Sequence, residues 1–583
     1  MSGSVPSSAI AENSAGLRTE PDRRPLWLRI AGRRLLAPVI LLALALAMIV
    51  PGVFQVPPLD RDEPRFAQAT KQMVESGDYV DIRFQDEPRH KKPVGIYWLQ
   101  SAAVAASGKG ADAPIWVYRL PSQVGAVLAV ILTYWAARAF LPPSAALLAG
   151  LFTALAIILG VEARLAKTDA VLLACIVASQ GALARLWLKA QEINLPRGRP
   201  WPILFLFWTS LSASILIKGP VGLMVVGLTI AALSAATRKL GWIRTLAPLP
   251  GILYLLLLVS PWFVAIWIAT DGQFFQEAVG KDFVGKLATG QESHGAPPLT
   301  HLAAMLGTFW PLPGFLLLAF TQLKGRLMSP PVLFALCWAL PSWVVFELVA
   351  TKLPHYTLPI LPALAILAAA LVGAETRRPA GKALRWAASV LYFVPAAVLA
   401  AAAIAAPVHL GIWPSPPGAV IALLSLVFSL AAVRYLLRDK PLAATGPAIL
   451  ASLLIAAGTW GFTMPSLSPI WISPRLAETV RQTAGCTDPE VATAGFSEPS
   501  YVFLQGTGTL LSTAEGAATF LAEAAPADCR VAVIDMRQEP RFKEEASAAG
   551  LGLREAARVQ GLNINGGRKL DIGVYLKEGT GRD

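Results

Sequence analysis

A succession of apolar runs, each about as long as a bilayer is thick, constrains this chain more than any other feature. A span needs roughly 20 apolar residues. Runs of that kind lie near 35–54, 115–140, 143–160, 168–188, 202–217, 219–236, 246–269, 299–321, 330–350, 353–373, 386–406, 417–437 and 442–462. With 55% hydrophobic and only 15% charged residues, the 583-residue chain has too few polar groups to cover a soluble globule of its size. The expected fold is mainly α, a polytopic membrane protein with about 13 transmembrane helices. An odd number of spans puts the two termini on opposite sides of the membrane.

The charges of the connections test this count. Lys and Arg number 50 against 37 Asp and Glu, a net charge of +13, and a cytoplasmic face rich in basic residues accounts for the excess without a nucleic-acid partner. Residues 1–34 carry Arg18, Arg23, Arg24, Arg29, Arg33 and Arg34 and read as a disordered cytoplasmic tail before a retained first span. With that end inside, the inner connections hold Arg138; Lys189, Arg197 and Arg199; Arg238, Lys239 and Arg244; Lys324 and Arg326; Arg377, Arg378, Lys382 and Arg385; and Arg434, Arg438 and Lys440. The alternation holds throughout. The expected location is the plasma (inner) membrane, with residues 35–462 embedded among lipids and the long loops 55–114 and 270–298 on the outer face.

From about Thr463 the composition becomes that of a soluble domain, placed outside the cytoplasm by the odd span count. Val491–Phe496, Tyr501–Leu504, Val531–Met536 and Asp571–Leu576 are strand-like, and Glu539–Ala549 is helix-like, so residues 463–583 read as a small α/β module. Gly506-Thr-Gly508 within it lacks the third glycine and the βαβ context of a dinucleotide site. Cys175 and Cys337 sit in apolar runs. Cys486 and Cys529 both lie in the polar domain, and a disulfide between them fits an oxidising compartment.

Ionisable groups at membrane depth are costly and mark function, and here they gather on the expected outer face. They are Asp60, Arg61, Asp62, Glu63, Arg65, Lys91 and Lys92 in the first long loop; Arg164, Lys167 and Asp169 before the fourth span; Lys218 after the fifth; His294 in the second long loop; and Lys352 with His355 before the tenth. Two outer-face juxtamembrane helices are expected in the first loop. One runs from Leu59 to Gly77, acidic at its start and glycine-ended. Its acids suit capping, with Asp60 or Asp62 accepting from free backbone N–H groups, and Asp62 suits equally a general base in an outer cavity. The other follows Arg89-His-Lys-Lys92 into an apolar, aromatic stretch. It reads either as a surface helix with snorkelling lysines or as a site for a lipid-tethered phosphate gripped by Lys92.

These residues in this order resemble the bacterial polyprenyl-phosphate-sugar-dependent membrane glycosyltransferases related to protein O-mannosyltransferases and to the lipid A aminoarabinose transferase, which have a GT-C fold. The matching pieces are Asp62-Glu63-Pro-Arg65 with the helix to Ser76-Gly77-Asp78, Lys92-Pro93 with Tyr97-Trp98, and Arg164-x-x-Lys-Thr-Asp169. Lys218-Gly-Pro220, the loop with His294, Thr351-Lys-Leu-Pro-His-Tyr356-x-Leu-Pro359 and Gly495-Phe-Ser-Glu-Pro499 complete the set. The resemblance implies Asp62 as principal catalytic carboxylate and Asp169 as a second acid. Lys92 would hold the donor phosphate, with Arg65, Lys218 and Lys352 balancing charge. Glu63, Tyr97, His294, His355 and Tyr356 would line the donor or acceptor pocket. It implies no cofactor other than the polyprenyl-phosphate-sugar donor, and an acceptor that is an envelope glycolipid such as lipid A, a glycan, or protein Ser/Thr. Many relatives carry an acid where this chain has Lys91, so no metal contact is transferred and no metal site is assigned.

The chemistry suits these residue types. A carrier phosphate leaving with growing negative charge is stabilised by Lys and Arg in the transition state more than in the ground state. A carboxylate near the incoming hydroxyl removes its proton, and attack from the opposite face inverts the anomeric centre. A secondary transporter, the competing class, would place its sites near the midplane in repeated, broken helices. No repeated halves are evident, and Glu347, late in the ninth span, is the nearest thing to a midplane acid.

Overall fold

The structure, a computed structural model, describes residues 28, 33, 35–59, 61–191, 200–278, 280, 296–373, 377–525, 528–564 and 566–578. Among them, nine helices are long and apolar enough to cross a membrane. One bent pair and three shorter apolar helices bring the apolar units to thirteen. Each of the thirteen runs read from the sequence overlaps one of these units, with edges that differ by a few residues. The bent pair is Thr300–Thr308 with Leu312–Gln322, which meet at 111°. Pro311 and Pro313 fall at the corner, where proline withholds the N–H that a continuous helix needs.

The elements that shape the loop side of the bundle are α1 (Leu36–Ile49), α2 (Asp62–Ser76), α3 (Gly95–Ser107), α4 (Ile115–Ala137), α5 (Pro143–Leu155), α6 (Asp169–Gln191), α7 (Trp201–Lys218) and α8 (Val221–Thr237). Of these, α2 and α3 are the two short helices expected in the first loop. Gly77 ends α2 in the left-handed region at φ 73°, its N–H on the Met73 carbonyl. A two-residue hairpin, Arg83–Phe84 against Glu87–Pro88, joins them.

Close helix approach depends on small residues. A Cβ on Gly125 would come within 2.8 Å of the Val171 backbone, which brings α4 against α6. One on Gly95 would meet the Leu216 carbonyl oxygen at 2.8 Å, where α3 crosses α7. Hydroxyl and amide groups bridge the packed spans. Ser179 lies 2.8 Å from Ser210, and the Gln180 amide donates to Thr229 at 2.7 Å.

Two buried arginines fasten the loop side of the bundle. Arg119, near the start of α4, donates to both oxygens of Glu63 at 2.7 and 3.0 Å and to the carbonyls of Val53, Val56 and Pro57. Both side chains are essentially inaccessible. Arg164 donates to the carbonyls of Met48, Pro51 and Gly160, and its guanidinium lies 4.8 Å over the Trp460 ring. The free carbonyls at the end of α1 are thereby satisfied by a charge from the turn between the third and fourth spans.

The soluble domain rests on the same side as α2. Its five-stranded sheet has the order Leu510–Ser512, Glu490–Ala494, Arg530–Asp535, Lys569–Lys577, Leu553–Leu562. The first three strands run parallel and the last two pair antiparallel. Helices cover both faces, with Ile472–Thr483 and Val491 on one side and Ala514–Ala522 with Phe542 on the other. Cys486 and Cys529 form a disulfide. Tyr501–Leu504, strand-like in sequence, is instead part of the helix Pro499–Gln505. Pro499 takes the first turn, where its missing N–H does no harm, and about half a helical turn then separates Tyr501, packed inward, from Phe503, packed against the membrane domain.

Removing one partner of a buried ion pair costs about 3–5 kcal/mol, because the other charge is stranded. Arg119→Met is expected to lower the thermal unfolding temperature in detergent markedly, and Glu63→Gln in the same background to recover part of the loss.

Candidate active site

The segment 163–168, between the third and fourth spans, is held by side chains of three helices. Glu63 of α2 accepts from the Ala166 N–H at 3.0 Å, and Gln100 of α3 donates to the Ala166 carbonyl at 3.0 Å. Ser122 of α4 donates to the Lys167 carbonyl at 3.0 Å. Gln100 in turn accepts from Thr70 at 2.6 Å. A turn whose backbone groups are satisfied on every side presents its side chains in one fixed way. Those side chains are Lys167 and, at the start of α6, Asp169, both buried.

Asp62 and Glu63 are adjacent in sequence and differ in situation. Glu63 is fully buried, and besides Arg119 and Ala166 it accepts from the Leu59 N–H at 2.6 Å. The backbone-capping role foreseen for the acids of this helix therefore falls to Glu63, within the scaffold; Asp60 lies outside the described residues. Asp62 keeps about half of its side chain exposed and has Arg65 Nη1 at 3.9 Å. Desolvation by burial would raise its pKa, but the positive charges of Lys167, Arg89 and Arg65 prevail and hold the carboxyl below its usual value.

Around Asp62 stand an aromatic wall and a second charged pair. The guanidinium of Arg89 lies 4.8 Å over the ring of Phe66, whose neighbour at 5.5 Å is the fully buried ring of Tyr97. Lys218, at the end of α7, donates to Asp169 Oδ1 at 2.5 Å. Lys167 and His355 are electrostatic neighbours of both Asp62 and Asp169, which places the two carboxylates about the same two side chains. The ring of Tyr356 stands 5.2 Å from His355 and 5.8 Å from Lys218 Nζ, and His355 Nδ1 is 3.8 Å from Glu162.

Other expected site residues have partners of their own. Lys352 is buried, donating to the carbonyls of Glu347 and Val349 at 2.6 and 2.8 Å. Glu347 accepts from the N–H groups of Leu299 and Leu302 at 3.1 and 3.0 Å, and His301 Nδ1 is 3.9 Å away. This cluster ties the end of the ninth span to the start of Thr300–Thr308. Lys92 Nζ donates to the Lys91 carbonyl at 3.0 Å at the surface of the first loop. His294 lies outside the described residues.

The sequence reading gives neither Arg89 nor Lys167 a role in the site, although it quotes Arg89 ahead of the second loop helix and Lys167 both among the outer-face charges and within the motif ending at Asp169. Burial is the signal that separates them, for a buried cation next to a half-exposed carboxylate is uncommon. His90 is also fixed, with Nε2 2.9 Å from Asp81 and Nδ1 3.4 Å from Glu277, so the first long loop is tied to the beginning of the second.

Comparison with known proteins bears on the fold and on the family resemblance. The family described as dolichyl-phosphate-mannose-protein mannosyltransferase matches residues 91–267. An undecaprenyl phosphate-alpha-4-amino-4-deoxy-L-arabinose arabinosyl transferase of Erwinia tasmaniensis is 28% identical over 315 residues, covering 53% of this chain and 54% of that protein. The protein of the same name from Edwardsiella ictaluri is 26% identical over 326 residues, covering 56% and 57%. The chain thus spans about half the length of the curated relatives it matches. The crystal structure of ArnT from Cupriavidus metallidurans bound to undecaprenyl phosphate superposes with a TM-score of 0.71 at 19% identity, covering 92% of this chain and 97% of that one. The family resemblance drawn from the sequence is borne out, and the fold is that of the polytopic GT-C type.

Proposed function

We propose that this chain is a membrane glycosyltransferase that moves a sugar from a polyprenyl-phosphate carrier to an envelope acceptor on the outer face of the plasma membrane, with inversion. The observation that carries the reading is the ionised Asp62 ringed by Lys167, Arg89 and Arg65, beside the Asp169–Lys218 pair. A phosphate leaving group needs fixed positive charge where its own charge develops, and the attacking group needs a carboxylate that is already ionised. The names of the relatives make undecaprenyl-phosphate-linked aminoarabinose the first donor to try; the family resemblance of the sequence makes lipid A the first acceptor and protein Ser/Thr the second.

In this reading Lys92 and the buried cations hold the donor phosphate and Asp62 faces the acceptor. A depressed pKa makes Asp62 a weaker proton acceptor but keeps it fully charged. It therefore stabilises a cationic sugar at the transition state as well as taking a proton from an alcohol. With a phosphate acceptor it would only orient. A polar cleft of about 460 Å³ between the two domains, lined by Arg61, Ser497, Glu498, Asn563 and Arg568, adjoins the residue before Asp62 and offers room for a polar acceptor head group. The disulfide Cys486–Cys529 supports a periplasmic soluble domain, hence a cytoplasmic N-terminus.

Asp62→Asn is expected to lower turnover by about 10²–10⁴-fold, and Lys92→Ala to lower kcat/KM by roughly 10- to 100-fold through loss of a charge-assisted contact. Both should insert and fold normally. Wild-type turnover in either would overturn the site assignment, and mass spectrometry of envelope lipids and proteins from cells with and without the chain identifies the acceptor. Because its cations lower the Asp62 pKa, activity should persist as pH falls to below the ordinary carboxylate range. Lys167→Met removes one of those cations, so the acid limb of the pH–rate profile should move to higher pH.

A further inference from the structure

The soluble domain meets α2 at three places along its length. At the N-terminal end, Glu498 Oε2 lies 3.8 Å from Arg61 Nε, one residue before Asp62. In the middle, the buried ring of Phe503 packs in one apolar cluster with Ala67 of α2, Tyr118 of α4 and Ala166, the residue before Lys167. Its ring stands edge-on to Tyr118 at 5.3 Å. Further along, the Thr507 hydroxyl accepts from the Gln68 amide at 2.7 Å and donates to Glu75 Oε2 at 2.7 Å. Residues 68 and 75 are two turns apart on one face of the helix, so one hydroxyl spans half of it. Gln68 is fully buried.

The loop between α2 and α3 joins the same contact. Gln85 donates to the carbonyls of Thr507 and Thr509 at 3.1 and 2.5 Å. Its own backbone is paired with Gln72 of α2 in both directions, at 2.7 and 3.0 Å. Gln85 holds φ at 54°, a region that non-glycine residues seldom adopt and that surrounding contacts must maintain. Gly506-Thr507-Gly508-Thr509 is the glycine-flanked loop that fails as a nucleotide motif. Its two carbonyls and one hydroxyl all engage the first long loop.

We infer that the soluble domain is a working part of the site, with Thr507 and Phe503 as positioning residues that fix the register of α2 and hence the place of Asp62. α2 is polar and lies outside the spans, so the bilayer does not hold it. Glu63 fastens its first turn to Arg119 and Thr70 its middle to Gln100 of α3, and the domain fastens the face that bears Gln68 and Glu75. The apolar cluster of Phe503 also includes Ala166, next to Lys167, so one surface of the domain bears on both the helix of the carboxylate and the turn of a cation that acts on it. The kinetic consequence rests on the transferase reading above; the mechanical one does not.

The test uses the full chain in lipid nanodiscs, comparing Thr507→Val, which keeps the shape and removes the hydroxyl, with Thr507→Ser, which keeps the hydroxyl. Amide hydrogen exchange in peptides covering residues 62–76 should rise several-fold in Thr507→Val, stay unchanged in peptides from the spans, and return to wild-type values in Thr507→Ser. With an active donor, kcat should fall about tenfold in Thr507→Val at unchanged donor KM, and Thr507→Ser should restore it. Exchange in Thr507→Val equal to wild type, or raised equally throughout the chain, would refute the inference. Exchange needs no substrate, so absence of transfer from every donor, which counts against the transferase reading, leaves this result standing.

Discussion

The pairing of Glu63 with Arg119 is the interaction on which the loop side of the molecule depends. It joins four pieces of chain: the segment after the first span, the first turn of α2, the start of α4 and the turn at Ala166. A charge pair of this kind is not a cheap source of stability, because both ions are withdrawn from water. What it supplies is direction. Two guanidinium–carboxylate bonds, three carbonyl contacts and two backbone N–H groups satisfy nearly every lone pair and proton, so few alternative packings satisfy as many.

That economy explains why two adjacent acids have opposite fates. Glu63 is neutralised and enclosed, and its enclosure turns Asp62 toward the cations. Asp169 shows the same division of labour, paired with Lys218 but sharing Lys167 and His355 with Asp62. The group is a set of charges whose positions come from backbone contacts elsewhere, which is the condition for electrostatic preorganisation.

Much of this is legible in the sequence, for stated reasons. The spans are legible because a bilayer demands length and apolarity and nothing subtler. The glycine end of α2 is legible because only glycine takes that turn without strain. Which acid points where is not, since Asp62 and Glu63 differ by one position on a helix whose rotation is set by Arg119, distant in sequence. Lys352 and Lys218 both look like lysines at helix ends. Only the structure separates the one that caps carbonyls from the one that meets a carboxylate. Tyr501–Leu504 is an apolar run too short for periodicity to distinguish strand from helix.

The contact between Thr507 and Gln68 joins residues separated by 439 positions. A ribosome releases α2 well before the loop at Thr507, and the spans of the bundle lie between them. For the whole interval of synthesis and insertion, the helix bearing Asp62 lacks the surface that packs on it. Completion of the site thus waits on synthesis of the segment around Thr507, and a protein stalled partway through the membrane carries the charged residues of the site without their final arrangement.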